Sequence, residues 1–228
     1  MNFFSKLFGN PSKREFKLKF REIQKDVEQR TRPLADIGIA IVKASNYCLK
    51  GMKPFMNDTD KKRKQEREIY VFYEFIYFFM HMTMRYAFGR LSKPQIAKLQ
   101  GFLGPIIVGA SIDSFFIHWP EDLKGKMRSE FYEKLNDAEI EYSSSKELLS
   151  KDKPFTGDSL TSKLARNVTQ LIGDSMNPVT MIAVVNVSVR ALIDAKLDQL
   201  INTVAPALDR LTDDELSAFC ENLRCQHR

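Results

Sequence analysis

The chain has 228 residues, 43% of them hydrophobic and 17 of them Phe, enough apolar mass to build a core in one large domain or two small ones. Its net charge of +6 is unevenly spread: residues 1–100 hold 21 Lys+Arg against 10 Asp+Glu, and residues 101–228 hold 14 against 19. Three cysteines, odd in number, argue against a disulfide framework, and the opening MNFFSKLFG lacks the apolar stretch and cleavage site of a signal peptide, so the expectation is a cytoplasmic chain.

In chain order, Ser12 is placed to cap a helix from about Lys13 to Arg30, with Phe16, Phe20, Ile23 and Val27 on one face. Pro33 fits the first turn of a second helix through Leu34, Ile37, Ile41, Ala44 and Cys48, ending near Gly51. Asp58 or Asp60 caps a long third helix that opens on KKRKQERE and continues as the aromatic run Ile69–Arg90. Ser92 and Pro94 start a fourth helix, expected to break around Gly101, Gly104-Pro105 and Gly109, or to use those glycines for a close crossing. A fifth runs over Glu121–Tyr142, carrying Leu123, Met127, Phe131, Leu135 and Ile140. Asp158 or Ser159 begins a sixth that stops near Gly173, and Asn177-Pro178 begins a seventh reaching about Val204. Thr212 and Glu215 form a capping-box pattern for a terminal helix to about Cys225.

The third helix is the most informative. At 100° per residue from Glu74, Arg67 and Arg85 fall at about +20°, His81 at about −20°, Tyr70 at about −40° and Tyr77 at about −60°. Within the aromatic run Ile69–Phe88, everything off this stripe but Thr83 is apolar or aromatic, as expected of a central helix in an all-α domain. Two stretches approach membrane-span length, Ile69–Phe88 and Gly101–Trp119, but the first holds Glu74, His81 and Arg85 and the second Gly104-Pro105 and Asp113. With charges costing about 2.5–3.5 kcal/mol each near a bilayer centre, neither is read as spanning.

The candidate chemistry lies on the same stripe. In a pocket, Glu74 would orient His81 for acid–base work while Arg85 held an anion; the structural alternative is an internal hydrogen-bond network satisfying its own charges. Asp113 and His118, ahead of Trp119, would join it only if the fourth helix packs nearby. Cys220, Cys225 and His227 lack a second ligand pair, and no His-Glu-x-x-His, paired Glu-x-x-His, phosphate-binding glycine motif or Gly-x-Ser-x-Gly occurs, so no metal and no cofactor are expected. At the N-terminus Phe3, Phe4, Leu7 and Phe8 surround Lys6 ahead of the basic residues Lys13, Arg14, Lys17, Lys19 and Arg21. That cluster either touches an anionic membrane surface or docks on protein, in this chain or a second copy. The basic run KKRKQER comes without any nucleic-acid-binding motif, so nucleic acid is not an expected partner.

The run FFMHMTMRYAFGRLSKPQIAKL, with Arg85, Tyr86, Ala87 and Phe88 followed by Leu91 and Pro94, resembles a segment of uncharacterised bacterial all-helical proteins. The resemblance spans about Phe78–Leu99 and implies a helical bacterial protein, with no activity or site attached. Where such proteins often carry Asp before the Arg, this chain has Thr83-Met84.

Taken together, the sequence predicts an all-α single domain of seven or eight helices over residues 12–228 behind an N-terminal extension, residues 1–11. The expected function is binding or scaffolding rather than catalysis, with a protein partner or a homodimer covering the apolar surfaces. Two other readings stand beside it: peripheral membrane attachment through Phe3, Phe4, Leu7 and Phe8, and an enzyme or small-ligand binder using Glu74, His81 and Arg85.

Overall fold

A computed structural model of the chain describes residues 13–57, 60–113, 120–150, 157–215 and 217. Over the described residues the protein is all-α, with seven helices and no strand. The first helix, α1 (Lys13–Met52), passes through a predicted boundary: Pro33 lies inside it and does not open a second helix. Proline withholds one backbone hydrogen bond and crowds the carbonyl four residues back, costing about 3 kcal/mol in an isolated helix. The turns that follow offset this, because Leu34, Ile37, Ile41, Cys48 and Met52 are fully buried and each large apolar side chain contributes about 1.5–3 kcal/mol. Against α1 pack α2 (Lys61–Phe88), α3 (Lys93–Val108), α6 (Pro178–Ala195) and α7 (Leu197–Arg210).

Asp60 caps α2 as expected, its Oδ1 accepting from the Arg63 amide at 3.1 Å. From Val71 to Met84 every residue but Glu74 is buried, so α2 is the central helix its aromatic run predicts. Beyond the turn at Gly89, the Ser92 amide donates to Gln95 Oε1 at 2.8 Å and Pro94 sits in the first turn of α3. The predicted break in α3 comes later than Gly104-Pro105: the helix stays α through Pro105 and gives way to a π-helical turn over Gly109–Asp113. Gly104 instead serves a close crossing, since a Cβ there would lie 3.0 Å from the Tyr132 ring of α4 (Glu121–Ser143).

Helix α5 (Leu160–Ile172) begins at Ser159, whose hydroxyl accepts from the Ser162 amide at 3.3 Å, and stops at Gly173 with φ +82°. Asn177 Oδ1 accepts from the Val179 amide at 3.0 Å and starts α6. The single helix expected from Pro178 to about Val204 is in fact two. Lys196 adopts a left-handed conformation at φ +48°, and α7 leaves at a new angle that buries Leu197, Ile201, Val204 and Leu208 completely. No Gly or Asn marks the turn in the sequence, and the burial beyond it offsets the roughly 1–2 kcal/mol of a left-handed non-glycine residue. The Thr212/Glu215 capping box forms, with Thr212 N to Glu215 Oε2 at 2.9 Å and Glu215 N to Thr212 Oγ1 at 3.2 Å. The N-terminal extension, His118, Trp119 and the Cys220–His227 end lie outside the described residues.

Two described stretches, Lys93–Ile112 and Pro178–Arg210, are long and apolar enough to cross a membrane by length and composition alone. The first is mostly covered by the bundle, and the second is divided at Lys196. For the candidate site the relevant layer is α2 between α4 and α5. The chain direction of α4 matches that of α2, pairing Tyr70 with Glu130, His81 with Glu139 and Arg85 with Ser145, whereas α5 runs opposite, pairing Arg67 with Ile172 and Glu74 with Asn167.

Candidate functional site

The stripe on α2 faces the seam between α4 and α5, and Arg67, Glu74, His81 and Arg85 each meet a different group there. Arg67 donates to the Ile172 carbonyl at 2.8 Å, at the last turn of α5. Glu74 Oε1 accepts from the Tyr142 hydroxyl at 2.5 Å and from Asn167 Nδ2 at 3.0 Å, and Asn167 also donates to Glu141 Oε2 at 3.1 Å. Burial raises the Glu74 carboxyl above the usual carboxylate range, and nearby Glu141 adds to this, while the bonds from Tyr142 and Asn167 oppose it. Burial and the adjoining Glu74 likewise hold the Tyr142 phenol well above its ordinary value.

His81 is buried beside the Tyr142 ring, with 5.7 Å between ring centroids. Its Nδ1 lies 2.9 Å from Glu139 Oε2; a carboxylate only accepts, so Nδ1 carries the proton of that bond. The carboxylate that orients His81 is therefore Glu139 and not Glu74. His81 Nε2 is buried without a hydrogen-bond partner. Arg85 donates to the Ser145 carbonyl at 3.0 Å and the Lys146 carbonyl at 2.8 Å. Buried Lys163 of α5 reaches the same end of α4, donating to the Glu141 carbonyl at 2.7 Å and to the Ser144 hydroxyl. Two cations thus gather at the C-terminal end of α4, where the helix dipole favours positive charge: Arg85 on carbonyls of the connection just beyond the helix, and Lys163 on the Glu141 carbonyl, which also accepts from the Ser144 hydroxyl. Arg85 serves peptide carbonyls in the place where the sequence suggests an anion site.

Two turns toward the N-terminus of α2, its packing against α4 leaves space. A groove of about 190 Å³ opens there, walled by the rings of Tyr70, Tyr73, Tyr77 and Phe131 and by Met127. Phe131 meets Tyr73 edge-on at 5.5 Å between centroids and Tyr77 at 5.3 Å, so the three rings pack into one continuous wall. At the groove stand Glu66, Glu130 and Lys134, with Lys134 Nζ 3.0 Å from Glu130 Oε1 and 4.3 Å above the centre of the Tyr70 ring. The Tyr77 hydroxyl is buried with no hydrogen-bond partner, and burial together with neighbouring Tyr73, Glu74 and Glu130 drives its pKa far upward.

The stripe's helical spacing singles out Glu74, His81 and Arg85, and the structure puts all three on one seam without gathering them around the groove. Tyr70 and Tyr77, placed on the same stripe by their angles, line the groove instead. Sequence reasoning missed Tyr142, Asn167, Glu139 and Lys163, and it read Met127 and Phe131 only as an apolar face. The spacing Tyr70-Tyr73-Tyr77 at i, i+3 and i+7 was the available signal for the groove. Among the described residues no cluster of three or more His, Cys, Asp or Glu side chains is arranged to hold a metal ion. Compared with protein-family models, curated proteins and solved structures, the chain matches none of them.

Proposed function

We propose that this protein is a helical binding protein, acting by recognition and not by catalysis, and that its recognition site is the tyrosine-walled groove between α2 and α4. The observation that carries this reading is the groove itself: four aromatic rings, three from α2 and one from α4, line open space beside the closely packed central helix. Apolar walls with a few polar groups at the edge are the common make-up of small-ligand sites. The stripe supports recognition over catalysis in a complementary way, since the carboxylate of Glu74 and the guanidinium of Arg85 are already engaged by protein partners.

Thermal unfolding with single-ring aromatic compounds tests the site. At tenfold over Kd a ligand adds about 1.4 kcal/mol, which for a chain of this size raises Tm by about 3–5 °C. Met127→Trp, which fills the groove with an indole, is expected to abolish the rise. A rise of equal size in Met127→Trp would place binding elsewhere and remove the proposal.

A further inference from the structure

The groove's size and charge restrict what it takes. An apolar cavity of about 150 Å³ holds benzene, so the 190 Å³ here has room for one ring and a short polar arm, well below a drug-sized ligand. Its three charged groups, Glu66, Glu130 and Lys134, sum to one net negative charge. Aromatic faces carry negative quadrupole density and attract cations. The molecule already demonstrates this: the Lys134 ammonium rests over the Tyr70 ring while paired with Glu130. Negative charge is unwelcome at the Tyr77 end, where burial above all, with Glu130 nearby, opposes ionisation of the phenol.

We infer that the groove binds a small organic cation, an ammonium group carried on a single ring or an apolar body of similar size, with the ligand's ammonium taking the place between Tyr70 and Glu130 that the Lys134 side chain now fills. The inference rests on the groove being a ligand site and specifies its chemistry. Lys134 and Glu130 are both about 40% exposed, at 43% and 38%, so the lysine can swing into water on its flexible stem and be replaced by a like charge. The ring of the ligand then lies against Phe131 and Met127.

One consequence separates this from general apolar binding. Lys134 competes with the ligand, so removing its charge tightens cation binding even though a contact is lost. The test uses the full chain labelled with ¹³C-methyl methionine, the Met127 signal being assigned by its loss in Met127→Leu and followed during titration with 2-phenylethylammonium, 2-phenylethanol and phenylacetate. The expected result is about tenfold tighter binding of the ammonium than of the alcohol, the range of a partly desolvated cation–π contact, and weakest binding of the carboxylate. Lys134→Met is expected to tighten the ammonium about three- to tenfold and leave the alcohol unchanged, and Glu130→Gln to remove most of the preference. Equal binding of ammonium and alcohol, or a preference for phenylacetate, with Met127 shifting in either case, would overturn the cation inference and leave the groove as a ligand site. No Met127 shift with any of the three at millimolar concentration would overturn both. Unchanged circular dichroism in the two charge variants guards against reading misfolding as lost binding.

Discussion

Glu74 binds its proton more tightly in the folded protein than in the unfolded chain, because burial disfavours the carboxylate more than the Tyr142 and Asn167 bonds favour it. Its folded pKa therefore lies above the ordinary 4.5, and between those two values the folded state holds more protons than the unfolded one. Stability contributed by the protonated carboxyl is complete below about pH 4.5 and is lost as pH rises toward the folded value, at up to about 1.4 kcal/mol per pH unit. Glu74→Gln keeps an acceptor oxygen for Tyr142 and Asn167 but cannot ionise. Urea unfolding of the two proteins from pH 4.5 upward is expected to show the variant gaining on the parent as pH increases; a difference independent of pH would mean that Glu74 is not held protonated. The placement of Glu74, His81 and Arg85 on one seam was legible in the sequence because a single helix's angles suffice for it. Their partners were not, since Tyr142, Asn167 and Glu139 belong to other helices 58 to 93 residues away, whose register no periodicity reveals.

At the scale of elements, two glycines in the long helices make opposite demands. An added Cβ at Gly38 on α1 would stand 2.4 Å from Ile106 Cγ2 of α3, and that methyl is fixed to a β-branched carbon that cannot swing aside. At Gly101, on the exposed side of α3, it would meet nothing within 4 Å. Both substitutions to Ala remove the same flexibility from the unfolded chain and improve helix propensity by about 1 kcal/mol. Gly101→Ala is thus expected to stabilise by about 0.5–1 kcal/mol. Gly38→Ala is expected to destabilise by about 1–2 kcal/mol once overpacking outweighs propensity. Denaturant midpoints measure both, and a stabilising Gly38→Ala would mean that α1 and α3 sit farther apart than described. The same elements show where sequence reading reaches its limit. The caps at Asp60, Ser92, Ser159, Asn177 and Thr212 were legible because capping is local chemistry. Continuity through Pro33 and the turn at Lys196 were not, because tertiary burial overrides local preference at both.

For the whole molecule the open question of mechanics is whether the bundle opens in parts or all at once. Cys48 is placed to report it. The thiol is fully buried where α1 meets α6, 3.6 Å from the Val187 carbonyl, and burial raises its pKa so far that almost no thiolate exists at neutral pH. Gly51, one turn on, keeps this seam close, since a Cβ there would lie 2.9 Å from Val187 Cγ1. Because α1 also packs against α2, α3 and α7, exposing Cys48 by lifting α6 alone would uncover buried side chains of α6, Met181 and Val184 among them, together with Cys48 itself. Three such side chains cost several kcal/mol, a large fraction of the roughly 5–15 kcal/mol that holds a domain together. With Cys220 and Cys225 replaced by Ser, alkylation of Cys48 is expected to be slowed at least about a thousandfold relative to a free thiol in the absence of denaturant. In a urea series its labelling midpoint is expected to coincide with the loss of helix by circular dichroism, as it would in a single cooperative transition. Labelling well before helix loss would show that α6 and α7 detach as a separate unit, and the four-helix packing around α1 would then be weaker than its burial implies.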